Sequence, residues 1–261
     1  MKNYLFGIKL YSCVKRRVYR VFYKVRWYRG YFVLTFMESF FVLGGVNMKK
    51  RIIFDQDNTL VTWTDDSYNT LDTTFKKLEI PLTKEDKEII IEAICEYEDY
   101  YDTYTKTNMI DFVNKKLNKT LPNIWLDIWL EELSNRDSIL EPNVLEILEY
   151  LSQKYEIIVL TNWFTYSQKN NLNKLQVLQY INLVIGTDQV KNKPNKEAFL
   201  KACGNVPVEE CIMIGDSFKT DILGAYEAGL DAIWYNPKNK QLKQKIKVKQ
   251  INNLIELKEI L

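Results

Sequence analysis

Lys50 to Leu60 read KRIIFDQDNTL, a short β-branched apolar run that ends in a carboxylate and is followed two residues later by a second. Such a run is the pattern of a strand buried on both faces of a parallel sheet, with its carboxyl end facing a site. Similar runs recur at Glu156 to Thr161 (EIIVLT), Asn182 to Ile185 (NLVI), Cys211 to Gly215 (CIMIG) and Asp231 to Tyr235 (DAIWY). Helical patterns near Asn143 to Lys154, Tyr166 to Leu175, Asn195 to Cys203 and Lys219 to Ala228 separate them. Strands alternating with helices predict an α/β fold, a Rossmann-like parallel sheet with helices on both faces.

The interval 65–138 breaks this alternation and reads as several amphipathic helices. Pro81 and Thr83 offer a helix start, followed by a long pattern from Lys84 to about Tyr104. The expected organisation is therefore a core domain of residues 48–64 and 139–261 interrupted by an all-helical domain, 65–138. The insertion holds 17 acidic and nine basic residues, a balance that repels polyanions, so no nucleic-acid partner is expected. Tyr97, Tyr100, Tyr101 and Tyr104 either stack on a base or sugar or serve core and rim packing. The Lys-rich stretch Lys238 to Lys249 reads as a solvated face.

The chain has 261 residues, with 36 Lys plus Arg, 34 Asp plus Glu and no His. Lack of His excludes Ser-His-Asp and Cys-His hydrolases and every His-ligated zinc site. Cys13, Cys95, Cys203 and Cys211 lie far apart and form no CxxC pair, which suits free thiols in a reducing cytoplasm. The formal charge of +2 hides a split: residues 1–47 hold nine basic residues and one acidic, leaving 27 basic and 33 acidic beyond them. The same segment holds 13 of the 35 aromatic residues.

Two expectations follow for this basic aromatic extension. The codons of Gly44-Gly45-Val46-Asn47 can contain a GGAGG ribosome-binding sequence ahead of Met48, so residues 1–47 read as a mis-assigned start. If the segment is expressed, it reads as a peripheral membrane anchor, with Lys and Arg on anionic lipid and Trp and Tyr at the headgroups. Its apolar run, Tyr31 to Val46 with Glu38 inside, falls short of the roughly 20 residues that span a bilayer. The basic part is too long for a secretory signal.

Four signals fall at or just after predicted strand ends: Asp55 and Asp57 of DQDNTL, Thr161-Asn162, Lys193-Pro194, and GDSFKTD with Asp216 and Asp221. Each alone reads as a turn, a helix cap or a surface lysine. Together they converge, because an open parallel sheet binds ligands outside the carboxyl ends of its strands. A hydroxyl, a lysine and several carboxylates in one crevice suit a hard cation and a phosphate. Oxygen ligands without His or a Cys pair select Mg²⁺.

The order and spacing of these DxDxT, strand-end Thr, Lys-Pro and GDSxxxD elements resemble the haloacid dehalogenase (HAD) superfamily, in the subgroup with an α-helical cap after the first motif. The resemblance covers nearly all of Met48 to Leu261. It implies that Asp55 is the nucleophile, forming an aspartyl-phosphate, and that Asp57 protonates the leaving oxygen and then activates water. It implies Mg²⁺ ligation by the Asp55 carboxylate, the Asp57 carbonyl and Asp216, and phosphate binding by Thr161, Asn162 and Lys193, with Asp221 orienting Lys193 or a metal-bound water. Family dehalogenases lack the second carboxylate of DxD, since a halide leaving group needs no proton; its presence here implies a phosphatase. Asn58 stands where many members have Gly, a mild departure because Asn tolerates the left-handed conformation. The Asp-Asn-Thr-Leu form resembles certain nucleoside monophosphate and sugar-acid phosphate phosphatases. The expected substrate is a small phosphorylated metabolite of nucleotide or sugar phosphate type, chosen by a cap hinged near Trp63 to Ser67 and Asn135 to Glu141. A sugar phosphomutase of the same capped type and a non-catalytic phosphometabolite-binding protein are the alternatives.

Overall fold

The computed structural model describes residues 25–28, 31–34, 49–241 and 248–261. Within the first 47 residues, strands β1 (Val25–Tyr28) and β2 (Tyr31–Leu34) pair as an antiparallel ribbon. The mis-assigned-start and membrane-anchor expectations otherwise concern residues outside those described. Among the described residues no helix is long and apolar enough to cross a membrane.

The rest of the chain forms its own compact unit. It begins with β3 (Arg51–Phe54), β4 (Val61–Trp63), α1 (Ser67–Lys77), α2 (Lys84–Tyr100), α3 (Lys106–Leu117), α4 (Ile124–Asn135) and β5 (Ser138–Leu140). It continues through α5 (Val144–Ser152), β6 (Glu156–Leu160), α6 (Thr165–Lys174), β7 (Leu183–Ile185) and α7 (Lys196–Cys203). The last elements used below are β8 (Cys211–Gly215), α8 (Gly224–Ala228), β9 (Asp231–Tyr235) and β10 (Lys249–Ile251).

The core strands are apolar on both alternating faces because both faces are covered. Ile52 and Phe54 of β3, Ile157 and Val159 of β6, and Ile212 and Ile214 of β8 share one cluster with Val144, Ile147, Leu148 and Leu151 of α5. The intervening Ile53, Ile158 and Met213 face the other way, onto Ala198, Phe199 and Ala202 of α7 and Ala225 and Ala228 of α8. Each such fully buried aliphatic side chain contributes roughly 1.5–3 kcal/mol by leaving water. Ile53→Ala would therefore cost about 2–5 kcal/mol.

The sheet order is β10-β9-β8-β3-β6-β7, and every neighbouring pair is parallel. From β3 the chain winds outward to β6 and β7, then returns to lay β8 on the other side of β3. That reversal puts the crevice at the carboxyl ends of β3, β6 and β8. Strand β10 begins at Lys249, the last residue of the stretch expected to be a solvated face: Lys249 and Gln250 are exposed and Ile251 is buried, so an edge strand with one inward residue left no apolar run to read.

Helices α1 to α4 pack around their own core, which includes Leu71, Phe75, Ile90, Met109, Trp125 and Leu130. Thr83 starts α2 through a reciprocal capping box with Asp86. The helix ends at Tyr100, short of the expected Tyr104, because Tyr101 turns extended and Thr105 caps α3. The segments expected as hinges adjoin an antiparallel ribbon, β4 with β5, in the register Val61↔Leu140, Thr62↔Ile139 and Trp63↔Ser138, which takes Trp63 from the first segment and Ser138 to Leu140 from the second. Glu141 ties the base of this ribbon to the core by accepting hydrogen bonds from Thr62 Oγ1 and, at 2.9 Å, from Tyr235 Oη.

Candidate active site

The turn after β3 is built to aim two carboxylates. The Gln56 carbonyl accepts hydrogen bonds from the backbone N–H groups of Thr59, Leu60 and Val61, and Asn58 takes the expected left-handed conformation at φ 60°. Asp55 is buried. Its Oδ1 lies 2.6 Å from Lys193 Nζ, and its Oδ2 accepts from Thr59 Oγ1 at 3.0 Å. The same Thr59 oxygen accepts from the Asp216 backbone N–H at 3.0 Å, so one hydroxyl ties the ends of β3 and β8 together.

Asp57 has unlike surroundings. Trp63 Nε1 donates to its Oδ1 at 2.7 Å and Gln168 Nε2 donates to its Oδ2 at 2.7 Å. Burial, reinforced by the Asp55 charge, pushes its carboxyl up to about 6, against the pull of the Trp63 and Gln168 donors and of Lys193. Gln168 Nε2 also donates to Thr161 Oγ1 at 2.8 Å, which leaves the Thr161 hydroxyl proton to donate elsewhere. Gln56 Nε2 in turn donates to Gln168 Oε1 at 3.0 Å and holds the amide in that orientation.

Lys193 is 3% exposed and sits between two carboxylates, 2.6 Å from Asp55 and 2.8 Å from Asp221. Burial opposes its charge, but Asp221 and Asp55 outweigh that and hold the ammonium above its ordinary value. Its loop is clasped by Asn162, whose Nδ2 donates to the Lys193 carbonyl at 2.8 Å and whose Oδ1 accepts from the Lys193 N–H at 2.7 Å. The Asn162 carboxamide is thus engaged in both directions with the lysine backbone. Asp221, on the π-turn Phe218–Leu223, also accepts from Ser217 N–H at 3.0 Å. Gly215 makes room for this carboxylate: a Cβ there would lie 2.3 Å from Asp221 Oδ2.

Asp216 completes the cluster. One oxygen each from Asp55, Asp216 and Asp221 lie within 4.8 Å of one another. Burial and the charges of Asp55 and Asp221 push Asp216 up to about 7, and Lys240 stands 3.9 Å away. Asp221 already serves Lys193 and Ser217, whereas Asp55 and Asp216 face each other with a like-charge conflict that a cation relieves. An all-oxygen donor set of this kind fits a hard divalent ion.

These groups border a cavity of about 410 Å³ whose far walls come from the helical insertion, through α2, α4 and the β4–β5 ribbon. Four of the sequence-predicted site residues line it directly with their carboxylates, Asp55, Asp57, Asp216 and Asp221, and Asn162 and Lys193 line it as well. Thr161 lies behind Gln168 at 2% exposure. The family model described as haloacid dehalogenase-like hydrolase matches residues 52–235. The chain belongs to that family.

Two relatives and one solved structure place it further. Escherichia coli pyrimidine 5′-nucleotidase YjjG is 26% identical over an alignment of 230 positions that covers 80% of this chain and 96% of that protein. Rattus norvegicus N-acylneuraminate-9-phosphatase is 25% identical over an alignment of 215 positions that covers 74% of this chain and 84% of that one. The Bacillus subtilis HAD-hydrolase YfnB, solved bound to magnesium, aligns with a TM-score of 0.60 and 23% identity over 82% of this chain and 98% of its own; that likeness is one of fold.

The site of this HAD-family enzyme also holds groups that the motifs do not contain or do not explain. Thr59 was legible as the fourth position after Asp55 in DxDxT, but not its second bond to Asp216. Gln168 carried no motif signal, since it lies inside α6, beyond the strand-end turn that holds Asn162. Trp63 and Glu98 carried none, because they reach the cavity from the ribbon and the insertion. None of the four flagged tyrosines lines the cavity: Tyr97 and Tyr104 are buried in the insertion core, Tyr101 stacks on Tyr97 at 4.4 Å, and Tyr100 is 82% exposed. The cysteines that are described, Cys95, Cys203 and Cys211, are free thiols.

Proposed function

We propose that this enzyme is a Mg²⁺-dependent phosphatase that hydrolyses a small-molecule phosphomonoester through an aspartyl-phosphate, with the helices of 65–138 acting as its cap. The observation that carries the reading is the unlike setting of two carboxylates two residues apart. Asp55 is paired with Lys193 Nζ at 2.6 Å, while Asp57 has no cation in contact among the described residues and is lifted to about 6, so it holds or releases a proton near neutrality. The nucleotidase and phosphatase activities named for the two relatives agree with it.

In the first half-reaction an Asp55 oxygen attacks phosphorus, the ester P–O bond breaks, and Asp57 gives its proton to the leaving oxygen. In the second, Asp57 takes a proton from water, the water oxygen attacks phosphorus, and the P–O bond to Asp55 breaks, releasing phosphate and restoring both groups. Lys193 holds the phosphoryl oxygens during both transfers, and Thr161, behind Gln168, anchors the amide that reaches Asp57. Asn162 and Asp221 position Lys193. Mg²⁺, held by the Asp55 and Asp216 carboxylates and the Asp57 carbonyl, would supply charge neutralisation between nucleophile and phosphoryl group.

Continuous release of inorganic phosphate from a phosphomonoester panel, dependent on Mg²⁺, is the test; a phosphomutase would return the phosphoryl group to substrate instead. Asp55→Asn is expected to lower the rate by about three orders of magnitude or more. Hydrolysis that persists in that variant refutes the mechanism.

A further inference from the structure

Helix α2 turns one stripe toward the cavity, Ile91, Ile94, Cys95 and Glu98, at the i, i+3, i+4, i+7 spacing of a single helical face. The neighbouring walls carry the indoles of Trp63, Trp129 and Trp163. The half of the chamber that receives the leaving group is thus apolar, with charge entering it from few places.

An inventory of those charges is one-sided. Lys193 is matched by Asp55 and Asp221. Arg136, which also borders the cavity, has its Nε 2.9 Å from Asp65 Oδ1, donates a second hydrogen bond to the Asp65 carbonyl at 2.5 Å, and lies over the Trp63 ring at 4.6 Å. Among the described residues, both cations bordering the cavity therefore already have a carboxylate. Glu98 has no hydrogen bond or ion pair among the described residues; the charges that reach it are Asp99 and Asp57, both of its own sign. A half-buried carboxyl with no counter-charge, in a cavity lined by indole and aliphatic groups, is less solvated than a surface one, and its field is less screened. A donor or cation brought beside it is welcomed, and a second anion is repelled.

We propose that Glu98 is a specificity-determining residue of the phosphatase described above, selecting phosphomonoesters whose leaving group presents hydroxyl, N–H or ammonium donors and rejecting those whose leaving group carries a second anion. The proposal rests on the phosphatase reading for the orientation of substrate, with phosphate at Lys193 and leaving group toward the insertion.

Glucosamine 6-phosphate, glucose 6-phosphate and 6-phosphogluconate are of similar size and differ in leaving-group charge: ammonium, neutral and carboxylate. Each is titrated at about pH 7.5, where the Glu98 carboxyl is mostly ionised, as a competitor of p-nitrophenyl phosphate hydrolysis by the Mg²⁺-loaded full chain, which yields an inhibition constant whether or not the competitor is itself hydrolysed. The constants are expected to rise in that order, by about tenfold or more from first to last. Glu98→Gln is expected to compress the spread to about threefold or less by removing the charge and keeping the shape. Wild-type binding of 6-phosphogluconate as tight as that of glucosamine 6-phosphate overturns the proposal without any variant. An unchanged spread in folded Glu98→Gln overturns the assignment to this residue. Absence of p-nitrophenyl phosphate hydrolysis strikes the phosphatase reading instead; calorimetric titration of the same three compounds into the Mg²⁺-loaded protein then reads the ranking, and the same order is required.

Discussion

Replacing Gln168 by Leu removes the side-chain NH₂ that donates to both Asp57 at 2.7 Å and Thr161 at 2.8 Å. A hydrogen bond to a charged acceptor contributes about 1.5–3 kcal/mol and a neutral one about 0.5–1.5 kcal/mol. Gln56, the amide's other partner, keeps contacts to the Gln168 carbonyl at 3.3 Å and to Asn171 Oδ1 at 3.4 Å, so no new orphaned donor adds to the loss. The Asp57 share alone, at about 1.4 kcal/mol per decade, lowers kcat/KM by roughly 10- to 150-fold. The effect has a pH signature. The lost donor favoured the ionised form of Asp57, so the limb assigned to this carboxyl, near 6 in the wild type, moves to higher pH. Phosphate release from p-nitrophenyl phosphate at saturating Mg²⁺, measured across the pH range and paired with a thermal melt, reads both effects. A folded Gln168→Leu variant with kcat/KM within about twofold of wild type at every pH refutes the assignment of Gln168 as the residue that positions the acid.

Trp63→Phe keeps an aromatic face for Arg136 but removes the indole N–H donated to Asp57 at 2.7 Å; kcat is expected to fall about tenfold, with the same upward shift of the Asp57 limb in a pH–rate profile. Thr59→Val cuts the bonds to Asp55 Oδ2 and to the Asp216 N–H, and should weaken Mg²⁺ by about 10- to 100-fold in an activity titration. Without metal, stability should fall as pH rises. Asp57 and Asp216 have folded values of about 6 and 7 above an ordinary 3.8, and Glu98 about 7 above 4.5. The folded chain therefore binds more protons than the unfolded one between about pH 4 and 7, and stability present below the lower limit is lost through that window. Thermal melts should show this decline, and a Mg²⁺-induced rise in Tm that is larger at pH 7.5 than at pH 5; a metal effect independent of pH would contradict it.

What the sequence revealed, and what it hid, divides along contact distance. The buried strands announced themselves because Ile52, Ile53 and Phe54 are apolar regardless of face, and a strand covered on both sides has no polar residue to blur the run. Asp55, Asp57, Asp216 and Asp221 were legible because each sits within a few residues of a strand end. Ribbon β4–β5 was not, since its three-residue strands are only partly buried and draw their pairing from residues more than seventy positions apart. Trp63, Gln168 and Glu98 were invisible for a related reason: what they do depends on Asp57 or the cavity, and nothing in their immediate neighbours encodes it. Asn162 shows the converse. Its position was read correctly from the strand end, yet its partners, the two backbone groups of Lys193, come from a loop thirty-one residues away.

Ribbon β4–β5 carries a lesson for anyone who would re-engineer this enzyme's selectivity by grafting. The helices that wall the leaving-group chamber hang from it, and Trp63, which tunes the acid, is part of it. A graft that exchanges residues 61–140 as a block imports a foreign proton-transfer setting together with the foreign chamber, and a dead chimaera would be misread as a poor substrate fit. Cutting inside the ribbon, between 65 and 137, separates the two traits and leaves the Trp63–Asp57 bond with its own core.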